Sequence, residues 1–429
     1  VDYPRARGAK RAALQAAHAA FRARAGEAAH RDFANFVAEG GEALARFALH
    51  EALREALGEG WRNWPHALRT GDARALEDAA RAHSEGVAFA LFEQWIAARQ
   101  FERAAARGRD AGLWLGLYRD LAVGAAPDGA EAWREQDRLI DGASIGAPPD
   151  PFSAMGQIWA LPAPDPLIAR REGYASFRAL LAANMRCAGA LRIDHAMGLE
   201  RLFLVPDGGS GADGAYLSFP RDDLLAELAL ESARARCLVV AEDLGTVPDG
   251  FRDALADANV LGYRVLMFEQ DGTGFRAPRD YPRLAVACAA THDLPTLAGW
   301  WESRDIDERQ RLGQFDATGA DAARRTRSDE KRRLVEALAR EGLVEDDIEM
   351  RLAAPFDAAL REAIHAFVAA TPCALAMLQL DDLAGEQDGV NLPGTDRERP
   401  NWRRRVAVPV ESLLAGRLPQ RRPLSVEPA

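Results

Sequence analysis

A chain of 429 residues, 48% of them apolar, is long enough for one large folded core with insertions. Its 54 basic and 65 acidic side chains are interspersed and leave a formal charge of −11, which argues against nucleic acid or anionic lipid as the main partner. No uncharged apolar run is long enough to span a membrane and no signal-peptide pattern is visible, so no membrane partner and a cytoplasmic location are expected.

Residues 1–110 are rich in Ala, Arg and Glu and predict helices almost throughout, with Phe21, Phe33, Phe36 and Val37, then Leu44 and Phe47, on apolar faces. Trp61–Pro65 interrupts them, and another helix is predicted over about 88–106. From there the pattern changes to short apolar runs, each ending in polar residues: Leu113–Tyr118, Ala190–Ile193, Cys237–Ala241, Tyr263–Phe268, Ala285–Ala290 and Ala374–Leu378. Helical stretches such as 222–235 and 248–258 separate most of them. Strands alternating with helices imply a parallel sheet covered by helices. The Gly/Pro-rich stretch 142–166 and the segment 207–219 read as active-site loops, because long ordered loops usually carry function. A charged, solvated helical stretch is expected over 304–340, and an irregular tail over 414–429.

A doubly wound sheet and a closed barrel both fit this alternation. No Gly-rich phosphate-binding pattern follows any strand, and polar groups close at least four different strands. An α/β fold of the (β/α)₈ TIM-type barrel is therefore expected over 111–413, with 1–110 as a helical insertion subdomain. Only six strands are found, so the barrel is expected to lack its first two strands in this chain, in keeping with Val1 where an initiator Met would stand. The cysteines Cys187, Cys237, Cys288 and Cys373 are widely spaced, which predicts small buried hydrophobes rather than a metal site or disulfides.

Among 65 acidic residues, Asp194, Glu242 and Asp293 stand out. Each lies at or within three residues of the end of an apolar run, in the clusters Arg192-Ile193-Asp194-His195, Glu242-Asp243-Leu244-Gly245 and Thr291-His292-Asp293-Leu294-Pro295-Thr296. Crowded carboxylates raise one another's pKa, whereas a neighbouring Arg such as Arg192 lowers it. A protonated acid beside an ionised nucleophile is what retaining glycoside cleavage requires, with the two carboxyls about 5–5.5 Å apart. Carboxylates on successive barrel strands can also hold Mg²⁺, but Arg192 competes with a cation and Lys, the usual base in such sites, is scarce.

These clusters, together with Gly116–Gly124, Gly146–Asp150, Gly156–Trp159, Asn391–Thr395 and Asn401-Trp402-Arg403, occur in an order that resembles the bacterial 4-α-glucanotransferases (amylomaltases, disproportionating enzymes) of the α-amylase clan, closest to the long enterobacterial-type branch. The resemblance implies Asp194 as nucleophile, Glu242 as general acid/base and Asp293 as stabiliser of an oxocarbenium-like transition state. It implies further that Arg192 keeps Asp194 ionised and that His195, His292, Asp120, Asp150, Gln157, Trp159 and Asn391 bind sugar. The expected reaction transfers a segment of a 1,4-α-glucan to a new 4-hydroxyl, with no metal and no cofactor and with maltooligosaccharide or glucan as partner. A hydrolase of the same clan, or an inactive glucan-binding fragment, is the alternative. Oligomeric state is not specified by the sequence.

Overall fold

A computed structural model describes residues 1–58, 60–149, 155–272, 274–345, 347–395 and 397–414. The chain divides into two compact units, residues 2–251 and residues 252 onward, the latter with Val1. Among the described residues no helix is long and apolar enough to cross a membrane.

The first unit begins with helices, as the composition predicts. Asp2 caps Tyr3–Arg24, with Pro4 in the first turn, and Glu27–Leu57 runs on through a kink at Gly41. Ala73–Ala82 and Ser84–Asp110 complete the set. Phe36, Phe92 and Trp95 form one core between them, with Phe21 and Phe33 packed against it. A second core holds Leu49, Leu53, Trp61, Trp64, Leu76 and Trp133. Trp133 belongs to the helix Ala130–Arg134, and its indole N–H donates to Leu68 O at 3.0 Å. The helical region is thereby fixed to the strand-bearing part of the same unit.

That part contains β1 (Leu117–Leu121), β2 (Ala143–Ala147), β3 (Gln157–Leu161), β4 (Ala188–Ile193), β5 (Arg201–Pro206), β6 (Ala215–Ser218) and β7 (Leu238–Ala241). Strands β1, β4 and β7 pair in parallel in that order, with Asp120 opposite Arg192 and Arg192 opposite Val240. Gly189 permits the chain to enter this sheet, since a Cβ there would lie 1.5 Å from Leu115 O. The first strand starts four residues later than expected: Leu113 and Trp114 are exposed and precede it. A second, antiparallel sheet has the order β3-β2-β5-β6. Parts of 142–166 and of 207–219, expected as loops, are therefore strands, and Arg201–Pro206 is a further strand between them in the ladder. Ile145, Ala163 and Leu202 bury their side chains behind this sheet.

The second unit holds β8 (Gly262–Val265), the short hairpin β9 (Gln270–Asp271) and β10 (Gly274–Phe275), β11 (Ala285–Cys288) and β12 (Leu375–Met377). Strands β8, β11 and β12 form a parallel three-stranded sheet, again in consecutive order. The six apolar runs thus yield six parallel strands, but in two hydrogen-bonded sheets of three rather than one continuous ladder. The helix Ala317–Arg340 is not solvated all round: Leu334, Val335 and Leu338 are fully buried against Leu297, Trp301, Ile364 and Phe367. Arg327, on the same helix, is buried too and pairs with Asp305. Three of the four cysteines are buried as expected, while Cys187 is only half-buried, in a left-handed turn before β4.

Candidate active site

The parallel ladder of the first unit continues past its strands. Asp194 N–H donates to Leu121 O at 2.9 Å, and Glu242 N–H to Ile193 O at 3.0 Å. Asp194 and Glu242 therefore emerge at the same level from neighbouring strands. Arg192, Asp194 and Asp120 share one face of the sheet by the alternation of strand side chains. Arg192 is 6% exposed and bridges two carboxylates, reaching Asp120 Oδ1 at 2.7 Å and Asp194 Oδ1 at 2.7 Å. Burial works against its charge, yet Asp194 and Asp120 outweigh that and hold the guanidinium firmly protonated.

Glu242 is held differently. Its carboxylate accepts the backbone N–H groups of His195 at 2.9 Å and Leu244 at 3.0 Å, amides where Asp194 has a guanidinium. Burial, and then the charge of Asp194, push its pKa up to about 7, more than Arg192 and the two amides pull it down. The two carboxylates are thus held differently, Asp194 in an ion pair with Arg192 and Glu242 about half protonated at neutrality. His195 turns through a left-handed conformation, φ 46°, which aims its backbone N–H at Glu242. Burial lowers the pKa of its imidazole to about 4, so the ring is neutral at physiological pH. Trp159 meets that ring edge-on at 5.2 Å, and its indole N–H donates to Gln157 Oε1 at 3.1 Å. A cavity of about 470 Å³, lined by Asp120, Asp194, His195, Leu121, Tyr174 and Phe177, opens beside this cluster.

Three other expected site residues meet in the second unit. Strand β11 ends at Cys288, so Asp293 sits on the loop beyond the strand rather than at its tip. Asn391 Nδ2 donates to Asp293 Oδ1 at 2.6 Å, and His292 Nε2 lies 3.3 Å from Asp293 Oδ2. The loop is anchored from behind. Asp382, 1% exposed, accepts the N–H of Leu297, and Thr296 caps the same helix start by accepting from Gly299. Gly299 is required there, because a Cβ would lie 2.1 Å from Gln387 O. The structure thus brings Asp120, Arg192, Asp194, His195 and Glu242 together, with Gln157 and Trp159 adjoining through His195. It separately brings together His292, Asp293 and Asn391. Asp150 lies outside the described residues.

Sequence reasoning missed Asp243, fully buried directly after Glu242, and Asp382, whose carboxyl sits behind the Asp293 loop. The tandem Glu242-Asp243 at a strand end was a signal for the first. Nothing local marks Asp382.

A family model described as 4-alpha-glucanotransferase, glycoside hydrolase family 77, matches residues 1–410. The chain is 37% identical over 375 residues to the 4-alpha-glucanotransferase of Haemophilus influenzae, covering 87% of this chain and 53% of that protein. It is 38% identical over 409 residues to that of Mycobacterium tuberculosis, covering 94% and 55%. Among solved structures, the amylomaltase from Corynebacterium glutamicum superposes with a TM-score of 0.85 at 33% identity, covering 95% of this chain and 57% of the other. The amylomaltase from Streptococcus agalactiae in complex with acarbose shares the fold, with a TM-score of 0.75 at 20% identity over 94% of this chain and 75% of the other. The chain spans about half the length of the curated relatives it matches. With 410 of its 429 residues matched by the family model, this chain belongs to the 4-alpha-glucanotransferase family.

Proposed function

We propose that the chain carries a retaining 4-α-glucanotransferase centre acting on maltooligosaccharides or longer 1,4-α-glucans. The observation that supports this most is the pair of carboxylates on neighbouring strands, Asp194 ion-paired to Arg192 and Glu242 pushed up to about 7. In the first half-reaction the Asp194 carboxylate attacks the anomeric carbon while Glu242 gives its proton to the departing glycosidic oxygen, leaving a glycosyl ester on Asp194. In the second, Glu242 takes the proton of an acceptor 4-hydroxyl, whose oxygen attacks the same carbon and frees Asp194. Asp293 stabilises the positive charge that develops on the ring, with His292 and Asn391 holding sugar hydroxyls. Asp120, His195, Gln157, Trp159 and Asp150 are assigned to further sugar contacts. No step in this scheme calls for a metal or a cofactor.

We also propose (β/α)₈ winding for the parallel strands, with 1–110 as an insertion subdomain and 111–413 as the catalytic core. The consecutive strand order within each parallel sheet supports it, since a doubly wound sheet reverses order at its switch point. A cytoplasmic location fits a maltodextrin substrate and the thiol state of Cys187, Cys237, Cys288 and Cys373.

Incubating the chain with maltotriose and separating the products tests the reaction. Glucose together with maltotetraose and longer products is expected. Glucose and maltose alone would replace transfer with hydrolysis, and unchanged maltotriose would overturn the activity altogether.

A further inference from the structure

Trp402 is the feature of the second unit that the reading above does not use. Its side chain is 49% exposed, and its backbone has φ 59°, the left-handed region that a bulky residue enters only under constraint. The constraint is visible. Trp402 N–H donates to Val390 O at 2.9 Å. The preceding Asn401 spends its amide on the facing loop: Nδ2 donates to Thr395 O and Oγ1 at 3.1 and 2.9 Å, and Oδ1 accepts from Leu392 N–H and from Arg399. Arg399, 7% exposed, is itself fixed by Gly389 O and Glu308. A part-buried polar network around the buried Arg399 therefore holds a strained turn whose outcome is to stand an indole at the surface.

Where it stands is informative. The indole centroid lies 5.3 Å from that of the His292 ring, and His292 and Asn391 both contact the Asp293 carboxylate. The side chains of His292 and Asp293 are 38% and 42% exposed, so the Asp293 carboxylate can be reached from solvent. A sugar that reaches it meets His292 and the indole beside that ring. Glucose has an apolar C–H face and a rim of hydroxyls, and a half-exposed indole beside three hydrogen-bonding groups matches both.

We propose that Trp402 is a stacking platform for one glucosyl ring of a maltooligosaccharide whose hydroxyls are held by His292, Asp293 and Asn391. The proposal rests on the glucan reading above. Trp402 touches substrate and sets its affinity and position; the bond-making groups lie elsewhere.

The experiment compares Trp402→Ala and Trp402→Phe with the parent chain, using maltotriose as the probe. Trp402→Ala is expected to raise KM about tenfold, equivalent to about 1.4 kcal/mol, with a much smaller fall in kcat. Trp402→Phe, which keeps a flat apolar face, recovers most of that loss. In a Glu242→Gln background, maltotriose should change the tryptophan fluorescence, and Trp402→Phe should abolish most of the change. A circular-dichroism melt shows whether the Ala variant is folded; if it is not, the Phe variant and the fluorescence decide. Unchanged KM in folded Trp402→Ala, or a fluorescence response that is equally large in the Trp402→Phe variant, overturns the platform and leaves the transferase reading standing. A parent chain that neither converts nor binds maltotriose overturns both.

Discussion

The two clusters of functional side chains use opposite physical strategies. In the first unit Arg192, with a side chain 8% exposed, lies among Asp120, Asp194 and Glu242, and burial with the charge of Asp194 pushes Glu242 up to about 7. In the second unit His292 and Asp293 are 38% and 42% exposed in their side chains, and the Asp293 carboxylate accepts from Asn391 with His292 3.3 Å away. Low dielectric amplifies charge–charge coupling in the first, whereas in the second water screens it and leaves directional hydrogen bonding as the main resource. The first arrangement suits proton transfer and nucleophilic attack. The second suits the recognition of hydroxyls.

The sharpest way to break this comparison is to remove the two groups proposed to react. Asp194→Ala and Glu242→Gln are each expected to lower kcat on maltotriose by about three orders of magnitude or more, and Asp194→Ala to abolish a covalent glycosyl-enzyme detectable by mass spectrometry. If Asp293→Asn lost as much while Asp194→Ala lost little, the assignment of chemistry to the first cluster would fail.

A second expectation follows from Glu242. Its folded-state pKa is raised to about 7, and it must be protonated to act as an acid on the leaving oxygen. Transfer measured as kcat/KM should therefore decline as pH rises through about 7, by about tenfold for each further pH unit. Replacing Arg192 by Gln removes the pull toward ionisation and should move that basic limb to higher pH. A limb that stays flat up to pH 9 in the wild type contradicts the burial argument.

The anchor behind the second cluster makes a third expectation, in stability rather than rate. Burial pushes Asp382 up to about 7, and one of its carboxyl oxygens is buried without a hydrogen-bond partner. A raised pKa means that its contribution to folding is fully present below the ordinary carboxylate range and is lost as pH rises through 7. The uncharged Asp382→Asn variant should escape this loss and gain on the wild type by up to about 4 kcal/mol between pH 4 and pH 8. Urea melts at the two pH values measure it, and parallel curves would refute the assignment of a buried, protonation-prone carboxyl.

The smallest expected effect is none. Arg192 already compensates Asp120 and Asp194, so exhaustive EDTA treatment should leave the maltotriose reaction within experimental error of the untreated rate. Loss of activity restored by Mg²⁺ would revive a metal-centred reading of the same carboxylates.

The helices of 1–110, the six parallel strands and the polar residues that follow them were legible in the linear order of residues, because each depends on local signals. These are a 3.6-residue apolar period, a Pro or capping residue, or a short apolar run closed by Asp or Glu. Asp194 and Glu242 were singled out for that reason. The antiparallel sheet was not, since Ala143–Ala147 and Gln157–Leu161 carry Gly and Pro around them and become strands only by pairing in the ladder with Arg201–Pro206. Helix character over 317–340 was also local, but which face of it is buried depended on Trp301, Ile364 and Phe367, brought to it from other parts of the chain.

What the sequence by itself determined is the kinds of element, their order and the chemical types of group at the strand ends, all properties of neighbouring residues. Only the tertiary structure decided that Arg192 bridges Asp120 and Asp194, that burial raises the pKa of Glu242, that Asp382 lies behind the Asp293 loop, and that Trp402 faces solvent beside His292. The reason is that burial and charge coupling are set by what lies within a few ångströms in space. The residues that supply those neighbours are 72, 85 and 98 positions apart along the chain in the bonds Arg192–Asp120, Leu297–Asp382 and Asn391–Asp293.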